Sequence, residues 1–217
     1  MEDRHTPGLY LEMTDQALDE YAAKRVPAVL GLAGTERATC WRNVHRDRAD
    51  LPRVLPEFDH LAVYEVGDDF TAPSTPDGVT GHHFRRYRRP GQGILSGRPT
   101  TGLSLVLISP KAPGQAQELR DWADFVHIRH IAEVAVPGYT MITPYVNAIP
   151  GAHPRFMHFY EMDCHNPEKS FKMMTPMVIS RFGGADHDYF RHWANGPSLR
   201  IMYVNSFRRV GASDIAP

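Results

Sequence analysis

The chain holds two cysteines, Cys40 and Cys164, in 217 residues. That is too few for a disulfide framework, so a reducing cytoplasm is the expected location. No run of about 18 apolar residues occurs, which argues against a membrane span. The first residues (MEDRHTPG) are polar and carry no apolar signal core. An excess of either charge is missing: 24 Lys and Arg stand against 25 Asp and Glu, and the formal net charge of -1 argues against a dedicated nucleic-acid binder. A Gly-rich phosphate loop, a G-x-S-x-G elbow and a dinucleotide fingerprint are all missing, which counts against nucleotide-dependent chemistry.

Apolar content is ordinary, at 42%, and supports a sizeable core. The local basic run Arg85–Arg89 reads as a solvated loop or a contact to phosphate or acid. Nine methionines include Met173, Met174 and Met177, which fill core gaps or line an adaptable pocket. Along the chain, GLYLEMT (8–14) alternates as a strand, and Asp15 is placed to cap the helix that follows. That helix is predicted to end near Gly34, with Pro27 kinking or stopping it. Strands follow in ERATCWRNV and at 60–66, and a long loop with a short helix around His82–Arg88 fills 67–100. The pattern then restarts. Strand 101–109 is followed by a helix, strand TMITPYV, strand RFMHFYEM (155–162), a helix opening at Asn166-Pro167, a break at Gly183-Gly184 and a last strand at 198–207.

Each half thus reads strand–helix–strand–strand–helix–strand. HLAVYEV and FMHFYEM align without gaps, matching Tyr64 with Tyr160 and Glu65 with Glu161, and Ala33-Gly34 matches Pro137-Gly138. A split β-α-β unit repeated twice is the ferredoxin-like arrangement. The expected fold is therefore α+β: a first repeat at 1–100 and a second at 101–217. Their two antiparallel sheets would pack face to face with helices outside, as an intramolecular α/β barrel. The second half is about two residues longer before its Gly.

The helix ending at Pro137-Gly138 concentrates titratable groups against an apolar wall. His127 and His130 lie three residues apart on it. Asp121, Trp122, Asp124, His127 and Ile128 resemble the D-W-Y-D-x-x-H-[IV]-P motif of the dimeric α/β-barrel superfamily, in its EthD-like branch with two fused repeats. Arg129 stands where that motif has Pro, and counting back from Gly138 places the family His near Arg129 or His130 instead. In the first half Val26-Pro27 fits and Arg25 occupies the His position. The resemblance implies a cleft in each half for small, flat, apolar molecules. It also implies a range of chemistries: cofactor-free oxygenases of phenolic polyketides, cyclases, muconolactone-type isomerases, and haem-binding or haem-degrading proteins.

His127 is the first choice for a catalytic acid/base, with Asp124 one turn earlier to fix its tautomer. His158 and Tyr160 share one strand face with Phe156 and are read as a second acid/base and a donor to an oxygen. Trp122, Asp124, His130, Phe156, Tyr203 and Asn205 are the expected substrate contacts. No third ligand accompanies His127 and His130, so no metal is expected; an axial His to haem is the one cofactor left open. Glu65 and Glu161 recur in both halves and read as structural. His187 and His192, near the glycine break, read as surface residues beside a hinge, and His82-His83 as loop. Ala62 matches His158 and Arg25 matches His127, so the second half is expected to be the active one. The sequence points to proton transfer on a cyclic aromatic, polyketide-like or lactone-like compound by an isomerase, cyclase or lyase. A cofactor-independent oxygenase of phenolic compounds and a non-catalytic haem- or ligand-binding protein are the alternatives, and the chain is expected as a monomer or homodimer.

Overall fold

A computed structural model describes residues 7–50 and 53–211; the polar N-terminal six residues read above lie outside them. Nine strands form one antiparallel sheet in the order β4-β1-β3-β2-β9-β6-β8-β7-β5. In chain order they are β1 (Gly8–Thr14), β2 (Thr35–Asn43), β3 (His60–Val66), β4 (Val79–Arg86), β5 (Gln92–Gly93), β6 (Gly102–Pro110), β7 (Tyr139–Asn147), β8 (Phe156–Met162) and β9 (Leu199–Arg209). β4 also pairs with β7, so eight strands follow one another around a closed circuit. The orders β4-β1-β3-β2 and β9-β6-β8-β7 have the same connectivity. The expectation of two separate facing sheets needs correcting. The pairs β2–β9 and β4–β7 join the halves edge to edge, which satisfies backbone groups that free edges would leave open.

Period-2 alternation sorts the side chains. Leu11, Leu61, Phe84, Leu105, Met157 and Phe207 meet in one core inside the circuit. The outer face carries the helices. α1 (Leu18–Leu30) buries Leu18, Tyr21, Val26 and Val29, and it runs through Pro27 rather than stopping there. Asp15 does not cap it; its carboxylate accepts from the Asp59 N–H and pairs with Arg46. α2 (Ala116–Trp122) and α3 (Ile128–Glu133) are joined by a π-helical stretch, Ala123–His127. α4 (Pro167–Phe182) starts where Asn166 accepts from the Lys169 N–H and ends at Gly183, whose φ of 81° suits only a residue without Cβ. α5 (Asp188–Ala194) is a short flap beyond that joint.

Among the described residues the first half has no second helix. The segment predicted as a helix, His82–Arg88, is largely β4, with His82 and His83 paired to β1. Its alternation of outward and inward residues completes the β1 edge, which a helix would leave unpaired.

Candidate functional site

Between the outer face of β6, β8 and β9 and the helices of the second half lies a cavity of about 280 Å³. Val106, Ile108, Tyr160 and Val204 come from the strands, Trp122 and His127 from the helix, Phe171 and Met174 from α4, and Phe190 and Trp193 from α5. Arg48 and Asp50, from the loop after β2, complete it. The walls are mainly apolar and aromatic, which suits a flat ring system.

The register of β8 puts His158 and Tyr160 on the cavity side, because Met157 and Phe159 take the inner core. Phe156 shares their face but packs with Leu119 and Trp122 behind the cavity wall. A bulge in β9 decides two further residues. Pairing jumps between Leu107/Tyr203 and Ile108/Ile201, so Met202 and Tyr203 both enter the inner core while Ile201 and Val204 line the cavity. Tyr203 donates to Glu57, and Asn205 donates to His45 O at 3.0 Å. Neither lines the cavity, contrary to the expectation from sequence.

His127 is wedged between indoles. Its ring stacks on Trp193 at 4.6 Å and 13° and lies 4.9 Å from Trp122. Nδ1 meets Trp193 O at 3.0 Å, and Trp193 Nε1 donates to His127 O at 3.0 Å. A carbonyl only accepts, so Nδ1 carries the proton and Nε2 the lone pair. Burial pushes the pKa down to about 4, the Trp193 carbonyl opposing and His158 adding to the fall. His127 is thus neutral near pH 7.

Asp124 does not orient His127. A π turn takes about one residue more than an α turn, so residues three apart no longer share a face. Asp124 turns toward β8, where Oδ1 stands 3.5 Å from His158 Nε2. That oxygen is buried and accepts no hydrogen bond. The other oxygen accepts from Arg89 Nη1 at 2.9 Å, and Arg89 also pairs with Asp121 at 2.5 Å and covers the Phe125 ring. Arg89, in the run read as solvated or acid-contacting, is therefore the outer member of a buried line Arg89–Asp124–His158. Tyr160 is 1% exposed; burial first, and the Asp124 charge second, raise its hydroxyl pKa, so it stays a donor.

His130 lies on the outer helix face, 3.1 Å from Glu133 and edge-on to Phe182. It does not converge with His127, and among the described residues no three His, Cys, Asp or Glu side chains gather as a metal site. Glu65 pairs with Arg37, and Glu161 accepts from Thr100 at 2.9 Å. His187 and His192 are exposed, though His192 O accepts from Trp122 Nε1 at 2.8 Å. Arg48, Arg89, Phe171 and Trp193 were not singled out from sequence as site residues. The Arg run was the one signal for Arg89.

No protein-family model and no curated protein matches the chain. Solved structures do. An anthrone oxidase-like protein aligns at TM-score 0.59 and 12% identity, over 96% of this chain and 94% of that one. A candidate monooxygenase from Fusobacterium nucleatum aligns at 0.54 and 6%, over 96% and 94%. Chlorite dismutase from Candidatus Nitrospira defluvii aligns at 0.50 and 12%, over 95% and 92%. The chain has their fold. It is a ferredoxin-like antiparallel sheet with helices packed on its outer face.

Haem, left open by the sequence, does not fit this site. The cavity of about 280 Å³ lies at the small end of ligand sites, and a tetrapyrrole is larger. His130 faces away from it, and His127 is flanked by two indoles.

Two expectations follow from the packing. A Cβ on Gly196 would sit 2.7 Å from the Trp122 ring. Gly196→Ala should push that indole into the cavity and weaken ligand binding by roughly tenfold, about 1.4 kcal/mol, with thermal stability falling by a few degrees at most; calorimetric titration checks it. The second concerns acid. His127 and His82 both have pKa values lowered by burial from 6.5 to about 4. Between those limits the unfolded chain binds more protons than the folded one, so stability falls as pH falls from about 6.5 towards 4 and is unaffected by these groups above 7. Urea unfolding at pH 7, 5.5 and 4.5 measures the slope, and His127→Phe should flatten it.

Proposed function

We propose that this chain is a small-molecule enzyme that removes a proton from a flat, cyclic, phenolic or ketonic substrate bound among Trp122, Phe171 and Trp193. The observation that carries the reading is His158 at the cavity wall, backed by a buried carboxylate oxygen that otherwise accepts nothing. His158 takes the substrate proton at the nitrogen remote from Asp124. The imidazolium then donates to Asp124 Oδ1, which Arg89 holds in place. Negative charge develops on the substrate oxygen, where the Tyr160 hydroxyl donates. His127 has no carboxylate behind it and burial lowers its affinity for a proton; its Nε2 accepts from a substrate hydroxyl and orients it. The principal base is thus reassigned from His127 to His158.

The resulting anion has two outlets. The one favoured here is attack on dioxygen without a cofactor: the carbon–oxygen bond forms, and the peroxide loses water to leave a carbonyl. A CH2 group and O2 thereby become C=O and H2O. The similarity to an anthrone oxidase-like protein and a candidate monooxygenase supports this outlet. Reprotonation elsewhere, as in an isomerase, cyclase or lyase, is the second reading, supported by the pair of imidazoles on one cavity. Incubation with anthrone and a phenol panel under 18O2 separates them. Enzyme-dependent label in the product supports oxidation. Product formed equally without oxygen supports reprotonation. Saturable binding without product sinks both.

The halves divide the labour in this reading: 101–217 holds the acid–base residues, and 1–100 supplies scaffold, Arg89 and the cavity-lining Arg48 and Asp50. Cys40 and Cys164 are unpaired, which suits a cytoplasmic setting. The closed circuit leaves a monomer self-sufficient. No helix among the described residues is long and apolar enough to cross a membrane.

A further inference from the structure

Resting on the reading that this cavity takes a flat cyclic substrate, we infer that the substrate carries a carboxylate, and that Arg48 is the residue that selects it.

Arg48 lies on the 44–59 connection of the first half yet lines the cavity of the second. Its side chain is only 4% exposed, an unusual position for a guanidinium. Three contacts hold it. Nε and Nη2 donate to the two oxygens of Asp50 at 2.7 and 2.9 Å, and the guanidinium lies 4.2 Å over the Phe171 ring. The remaining nitrogen, Nη1, is buried and donates to nothing. A buried charged donor without an acceptor is costly, and the missing partner is an acceptor, preferably an anion.

Asp50 shows which anion. It is itself a carboxylate seated in the bidentate fork, and its own side chain is 61% exposed, so it can swing to water. A planar carboxylate matches the fork in shape as well as charge. The other polar groups facing the cavity are the imidazoles of His127 and His158, the Tyr160 hydroxyl and Thr175. Among the described residues that line the cavity, Arg48 is the only Arg or Lys. A substrate with its ring between the indoles and Phe171 would direct its acid group toward Arg48.

The test uses the full chain, 2-naphthoate and the neutral 2-naphthamide, titrated calorimetrically. Wild type should bind the acid at least ~10-fold more tightly than the amide. Arg48→Met keeps an unbranched stem over Phe171; it should bring the ratio to about one without moving the amide's Kd. Asp50→Asn, which loosens the competing carboxylate, should tighten the acid several-fold and leave the amide unchanged; it carries the test if Arg48→Met does not fold. A ratio near one in wild type, a ratio that survives Arg48→Met, or no response to Asp50→Asn overturns the assignment. Binding and catalysis fail separately. Arg48-dependent binding of the acid with no turnover of any substrate leaves this inference standing and removes the enzymatic reading. Turnover of neutral phenols that ignores Arg48→Met does the reverse.

Discussion

His158→Asn should lower turnover of an identified substrate at least ~100-fold, the scale of a lost general base. Asn retains a similar volume and polarity, so the fold and the KM for substrate should hold. The loss then falls on kcat. Asp124→Asn should cost less, because the base remains and only the support of its charged form is removed. Its signature is a split between the constants: kcat should fall while KM holds, because Asp124 supports the base and does not line the cavity. His127→Asn should weaken substrate positioning and raise KM more than it lowers kcat. If His127→Asn abolishes kcat while His158→Asn leaves it intact, the roles proposed above are reversed.

Glu12→Ala should be the most damaging single change to the fold. Glu12 is 0% exposed and sits on the outer face of β1, under α1. Tyr10 donates to it at 2.8 Å, Tyr21 at 2.5 Å, and Arg25 Nη2 at 2.6 Å with Nε at 3.0 and 3.1 Å. Tyr64 extends the cluster through a 3.0 Å contact with Tyr21. Removing the carboxylate leaves a buried cation and two hydroxyls without their acceptor, a loss of about 3–5 kcal/mol, or a fall in Tm on the order of 10 °C for a domain of this size. Thermal and urea unfolding measure it. A loss below about 1 kcal/mol would falsify the view that this cluster holds α1 to the sheet. Glu12→Leu combined with Arg25→Met should recover part of the stability, since an apolar pair leaves nothing unpaired.

The same cluster explains how far the sequence could be read. Arg25 against His127, and Ala62 against His158, were visible differences between the halves, and they pointed to the second half. What fills the first cleft was not visible, because Glu12, Tyr21 and Arg25 come from a strand and a helix that meet only in three dimensions. The strands at 8–14 and 60–66 were legible to the residue, since alternation and flanking turns mark them. β4 was not: His82, His83 and the arginines carry little apolar signal, and their pairing to β1 is a tertiary choice. The helix motif was legible as a motif, but its π stretch was not. That one irregularity turned Asp124 away from His127, and it accounts for about one of the two extra residues before Gly138. Tyr203 and Asn205 failed for a similar reason, a single-residue bulge that exchanges the faces of β9.

The strand circuit is not uniformly strong. Within each half, neighbouring strands pair over about their full length, as in the seven residue pairs of β1 with β3. The two seams between halves are short: three residue pairs join β2 to β9 and three join β4 to β7. The amide protons of Tyr87 and Ala148, which donate across the β4–β7 seam to Pro144 O and His83 O, should therefore exchange with solvent sooner than those of β6 or β8. Arg89 follows directly behind the β4 seam. When that seam frays, the cation backing Asp124 leaves with it, so the readiness of His158 is tied to a breathing motion at the far side of the helix.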